Sequence, residues 1–402
     1  MQKIKMGLLI PALFMAFQAQ ALDSDMFTVR GFGSLGVVNS SFEDADFVTD
    51  AAVPEGAGRT DDWSLTQMSR LGLQLDGQFN DQWSMGIQGL AEYNYKGTYS
   101  PSIPFAYIGY EPTNNLKLRA GRLTVPVYML TDFARVGYAL PWARPPLEMY
   151  RNYPLYEGID MNYQFNASGA AYSLQALYSF SSTYDLSGGK DGNEVSMDTD
   201  DQWALVLTAD VGSATFRVGH VQSKSDYESD GLDTLIAGYQ GGGQGALIDE
   251  YNPNGNTASY DVLGLSYDPG DWFMRTELAK VSWKSKSLFP AYTVGYVTAG
   301  YRYGALTPYA IYGWYKLDSE TSIGSADPFG GINTVMASSD ASRSSTSVGL
   351  RWNFMDSADL KVQLSHVKKD SDTSNMALIN YASGATAPSS YDVIFVGIDF
   401  VF

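Results

Sequence analysis

The chain has no cysteine, only two histidines and no long apolar run. Without cysteine, an exported protein of this size holds its fold without disulfides. The two histidines, His220 and His366, fall in different predicted strands, and no Ser or Asp arrangement stands out beside either. A hydrolytic site needs a general base next to a nucleophile or an activated water, so this scarcity argues against an enzyme. No apolar stretch reaches roughly 18 residues, which excludes helical membrane spans. Positive charge is also sparse, with 26 Lys and Arg against 44 Asp and Glu and a formal net charge of −18. Such a chain is not drawn to nucleic acid or anionic lipid by charge. No set of side chains with metal-ligand spacing appears, and no cofactor motif.

What is present begins with a leader. Lys3 and Lys5, an apolar run from Met6 to Phe17, and Ala19-Gln20-Ala21 form the three-part layout of a secretory signal, residues 1–21. Its removal takes two lysines and no acid, so −18 becomes −20 for residues 22–402, which are expected to form one domain. That domain is rich in Gly, Tyr and Phe (40, 28 and 19 in the whole chain), yet mean hydropathy is only −0.17. A barrel with one apolar and one wet face needs that combination. The last twelve residues, Tyr391 to Phe402, show it directly. Ile394, Val396, Ile398, Phe400 and Phe402 share one face; Asp399 and Gly397 lie on the other with Tyr391, Val393 and Phe395.

The same alternation recurs upstream. Leu71, Leu73 and Leu75 oppose Arg70, Gln74 and Asp76; Ile159, Met161 and Tyr163 oppose Asp160, Asn162 and Gln164. Turn signals such as Asn80-Asp81, Asn114-Asn115, Gly212-Ser213 and Asp268-Pro269-Gly270 alternate with long polar segments. The count predicts about sixteen strands, an all-β transmembrane antiparallel barrel with short turns at one end and long loops at the other. Aromatics near predicted strand ends, Tyr93, Tyr95, Tyr301, Tyr303, Tyr312 and Trp314 among them, fit interfacial girdles. No common repeat period and no helical period are evident. One strand, Trp272 to Trp283, strains the pattern, because Lys280 falls on the face assigned to lipid.

One loop differs from the rest. Between Arg122 and Gly158, about residues 123–157, the chain carries five prolines and seven aromatics outside the usual Ser, Asp and Gly composition. Its charges are balanced, Asp132, Glu148 and Glu157 against Arg135, Arg144 and Arg151. So aromatic a loop should be packed, either inside the lumen, over the barrel rim or in a subunit interface. Ser69-Arg70-Leu71-Gly72-Leu73, Glu92-Tyr93-Asn94-Tyr95, Gly121-Arg122 and the terminal Phe402 occur in the order found in general bacterial outer-membrane porins, which the chain resembles.

The resemblance implies a homotrimer in the outer membrane of a Gram-negative bacterium. Its third loop would fold inward as a constriction, among outer-membrane lipid and lipopolysaccharide. It also implies that the barrel assembly machinery reads Phe402, and that a basic wall faces loop acids across a water-filled channel for small hydrophilic solutes and ions. On the polar faces of early strands, Arg30, Arg70 and Arg119 are the candidates for that wall; Asp132 and Glu148, with Arg135, Arg144 and Arg151, are the loop candidates. The family's Pro-Glu-Phe-Gly-Gly-Asp loop motif is absent, and Pro141-Trp142-Ala143-Arg144-Pro145-Pro146 points to a divergent subfamily. Two alternatives stay open: a substrate-specific channel for a sugar or an anion, and an enzymatic barrel.

Overall fold

A computed structural model of the chain describes residues 26–50, 52–151, 155–187 and 194–402. The expected leader lies outside the described residues. Sixteen long strands run in sequence order: β1 (Phe27–Ser40), β2 (Arg70–Gln78), β3 (Trp83–Glu92), β4 (Ser102–Thr113), β5 (Leu116–Thr124), β6 (Leu155–Ala167), β7 (Ala170–Ser187), β8 (Glu194–Val211), β9 (Ala214–Glu228), β10 (Asn256–Tyr267), β11 (Trp272–Trp283), β12 (Tyr292–Tyr301), β13 (Leu306–Leu317), β14 (Arg343–Met355), β15 (Ala358–Lys369) and β16 (Ser390–Val401). Each pairs antiparallel with the next, and β16 returns to β1, so the sheet is a closed barrel.

Period-2 patterning sets which face meets lipid. On β15, Val362 and Leu364 are exposed on the outer wall, while Lys361, Gln363 and Ser365 are buried on the inner one. The apolar belt has a sharp upper edge. Above Leu364 comes His366, above Val218 comes His220, and above Leu263 comes Asp261. At that level the Trp203 and His220 rings lie 5.0 Å apart, and His220 Nδ1 is 2.7 Å from Asp261. Lys280 is explained by the same edge. It does point outward, but one step above Leu278 and directly across from Asp261, where an ammonium reaches polar surroundings.

Short turns join strands at one end and long loops at the other, as the sequence predicts. The long loops hold short helices that no periodicity revealed: α1 (Asp230–Gly241), α2 (Gly245–Tyr251) and α3 (Gly331–Ser338). Two or three turns give too short a window for a period of 3.6 to stand out. Tyr239, Ile248, Ile332 and Met336 pack them together in a cluster separate from the barrel interior. β7 and β8, 18 residues each, extend past the apolar belt into a stretch of Ser, Thr and Asp where the alternation is lost.

The seam joins β1 to β16. Gly31 N–H donates to Phe402 O at 2.7 Å, and Phe402 N–H donates to Gly31 O at 3.0 Å. On the outer face the rings of Phe402 and Phe400 lie over Gly31 and Gly33, where any Cβ would overlap them. Deleting Phe402 removes one ring and these two hydrogen bonds from the end of the seam. Heat-modifiable protein in the outer membrane is expected to fall several-fold while synthesis and export continue; wild-type levels on a semi-native gel would sink this expectation.

Candidate constriction of the channel

The loop between β5 and β6 is folded into the lumen. Its apolar residues bury deeply: Val125, Leu130 and Trp142 have no exposed surface, and Tyr150 almost none. They join inward residues of distant strands, among them Val262, Tyr296, Tyr309 and Ile311, in one cluster. Polar contacts fix the docking. The Trp142 indole N–H donates to Thr298 Oγ1 at 2.9 Å, and Ala143 N–H donates to the Tyr309 hydroxyl at 3.0 Å. One carboxylate, Glu277 on β11, accepts from Met129 N–H at 2.7 Å, from the Tyr296 hydroxyl at 2.6 Å and from the Tyr150 hydroxyl.

A second anchor holds the middle of the loop against β14–β16. Lys361, fully buried, donates to Gly137 O at 2.7 Å and to Asp399 at 2.8 Å, while Ser34 donates to the other oxygen of Asp399. Arg351 donates to Leu140 O at 3.1 Å and pairs with Asp359 at 3.0 Å. The backbone at Gly137 comes so close that a Cβ there would overlap Asp399. Two cations and two carboxylates thus neutralise one another under the loop, which is how charges survive burial.

The three wall candidates all point inward, and each meets an acid. Arg30 Nη1 lies 2.9 Å from Asp76, with its side chain 64% exposed. Arg119 makes a forked contact with Asp160, its Nε at 2.9 Å from Oδ1, and its guanidinium stacks 5.4 Å above the Tyr107 ring centre. Arg70 lies 3.6 Å from Glu92 and keeps only 9% exposure. Sequence reading did not single out Glu92 and Asp160. Both stand directly across from their arginines in the strand register, Arg70 opposite Glu92 and Arg119 opposite Asp160.

The loop candidates divide. Arg135 reaches across to Glu92 at 3.0 Å, so Glu92 bridges two arginines from wall and loop. Near them lies Asp50, from the loop after β1. Burial pushes its carboxyl above the usual carboxylate range, and Glu92 adds repulsion, against the pull of the Ala52 N–H, Arg135 and Arg144. Arg144 is buried, with its guanidinium 3.4 Å from Thr49 O. Glu148 is buried too, accepting from the Ser345 hydroxyl at 3.1 Å beside Arg343. Burial pushes its carboxyl up, which Arg343 opposes. Arg151 donates to Ala377 O at 3.2 Å; burial and the neighbouring Arg343 bring its guanidinium down to about 10. Glu157 falls on β6, exposed and paired with Arg122, and among the described charged residues between β5 and β6 Asp132 alone is exposed, within electrostatic reach of Arg119 and of Arg217 on β9. Arg217, absent from the sequence candidates, donates to Pro126 O at 2.8 Å.

The arrangement therefore has a tight side and an open side. On the tight side Arg70, Glu92 and Arg135 interlock, with Asp50 and Arg144 close by. On the open side Asp132 is exposed, within electrostatic reach of Arg119 on β5 and Arg217 on β9. Among the described residues no group of three or more His, Cys, Asp or Glu is placed to hold a metal ion. Replacing Glu277 with alanine strips two hydrogen bonds from the loop and a third from Tyr296 of β12, at a cost of about 3 kcal/mol in all. Glu277→Ala channels in a planar bilayer should show frequent sub-conductance steps and lose heat-resistant mobility at lower temperature; traces as quiet as wild type would show that the loop is held without it.

Comparisons with known proteins bear on this geometry. The family model described as Gram-negative porin matches residues 9–373. No curated protein matches the sequence. Among solved structures, the anion-selective porin from Comamonas acidovorans is similar at 16% identity and a TM-score of 0.57, over 94% of this chain and 99% of that one. OmpF of Salmonella typhi in complex with daunomycin is similar at 14% identity and a TM-score of 0.57, over 95% and 100%. The trimer form of OmpT, an outer-membrane protein of Vibrio cholerae, is similar at 14% identity and a TM-score of 0.51, over 94% and 100%.

Proposed function

The chain belongs to the Gram-negative porin family, and on that premise we propose which of its residues set passage through the channel. It is an outer-membrane β-barrel that forms a water-filled channel for passive diffusion of small hydrophilic solutes and ions. The observation that carries the finer reading is the inward loop locked to the far wall by Glu277 and Lys361, which divides the lumen. Arg70, Glu92 and Arg135 define the closed flank of the narrow zone, and Asp132 faces Arg119 across its open flank. Opposed charges between low-dielectric walls orient water and dipolar solutes and disfavour apolar ones. Passage needs no covalent chemistry, and the chain acts as a channel without enzymatic activity.

Arg70→Ala removes bulk and one positive charge beside Glu92, leaving that carboxylate to Arg135 alone. Conductance should rise modestly, and the reversal potential in a salt gradient should shift toward cations, most clearly at low salt where screening is weakest. If both quantities match wild type at low salt, Arg70 lies outside the narrow zone.

The assembly is a homotrimer, embedded among outer-membrane lipid and lipopolysaccharide and inserted by the barrel assembly machinery through the strand ending at Phe402. Support comes from the exposed apolar side chains Leu71, Leu73, Ile87 and Ile108 on the outer faces of β2–β4. An unboiled sample should run on a denaturing gel well above the 43.9 kDa of the full chain. Light scattering of a mild-detergent extract that gives a monomer mass would count against the trimer.

A further inference from the structure

We infer that the lumenal wall above the inward loop carries a binding site for neutral saccharides; the inference rests on the channel reading. Tyr260, Tyr292 and Tyr315 point inward from β10, β12 and β13, at or toward the long-loop ends of their strands. All three are half-buried, and their hydroxyls hydrogen-bond to nothing among the described residues. Tyr292 and Tyr315 stack with ring centres 4.6 Å apart and planes inclined by 27°. All three pack against the same buried cluster, which includes Tyr128 of the inward loop, so the rings belong to one tract rather than being scattered residues.

A lumen built only to pass ions has no need of unpartnered phenols. A tyrosine offers an apolar face and a polar tip, and such a tract suits a ligand with C–H faces and hydroxyl edges. Charge narrows the class. Two guanidiniums lie within electrostatic reach of Tyr315. Arg343, 5.8 Å from the ring centre, donates to Leu147 O at 3.0 Å and Ala341 O at 3.1 Å and faces Glu148; Arg151 donates to Ala377 O at 3.2 Å, and its Nε, which has no partner, is buried. Neither is turned over to a solute, which favours a neutral polyol ring over a phosphate or carboxylate.

The test uses the folded mature chain in a planar bilayer, with maltotriose, raffinose and sucrose added in turn on the long-loop side. At least one should interrupt the ion current in a concentration-dependent way at millimolar levels. Tyr292→Phe and Tyr315→Phe keep the rings and remove one hydroxyl each, and should weaken the blockade about threefold to tenfold. Tyr292→Ala should weaken it further; where that variant fails to insert, the two phenylalanine variants decide. A conducting wild-type channel that none of the three sugars interrupts overturns the inference and leaves the channel reading standing, as does blockade equal in wild type and phenylalanine variants. Absence of conductance in wild type would instead defeat the channel reading itself.

Discussion

Inside hydrocarbon an unpaired amide costs several kcal/mol, so a sheet there has no edge to spare. Most of what this chain does follows from that constraint. Sixteen strands exchange their hydrogen bonds in one ring, and the backbone is paired strand to strand before any side chain is chosen. Alternation then hands every second residue to lipid and the others to the lumen. Lumenal residues are released from the demand for hydrophobicity, and the chain spends them on arginine, carboxylate, serine and tyrosine.

The lumen is too wide for wall side chains to fill, and the inward loop fills much of it with elements that resemble a soluble protein core. Trp142, Tyr150 and Leu130 supply apolar burial; Glu277, Asp399 and Lys361 supply directed polar contacts. Apolar packing alone is non-directional and would let the loop slide along the wall. The buried acid of β11, with its three donors, and the ammonium of β15, with its carbonyl acceptor, fix where it stops.

How much of this the sequence disclosed depends on whether a contact is local. Strand order and facing are local, so Leu71, Leu73 and Ile159 were assigned to lipid and Arg70 and Arg119 to the lumen from periodicity alone. Arg70 and Glu92 are joined through one short turn, Asn80-Asp81, and counting outward from it places them opposite each other. Arg119 and Asp160 are different. The inward loop separates them, no turn fixes their register, and their pairing emerges only when the barrel is assembled. The same reason hid the fates of Arg144 and Glu148, whose side-chain partners lie 95 and 197 residues away in sequence, at Thr49 and Ser345. The short helices escaped because their apolar residues face one another and not the barrel.

The closing seam joins two strands that lie at opposite ends of the ring's order. β1 finds its second partner in β16, and Gly31 exchanges both its backbone hydrogen bonds with Phe402. A barrel in which β16 has not docked presents an open flank on β1, with two bare glycines where aromatic rings belong. Closure of the ring is thereby readable at one place on its surface, and a quality check on assembly needs no sensor beyond the geometry of the joint.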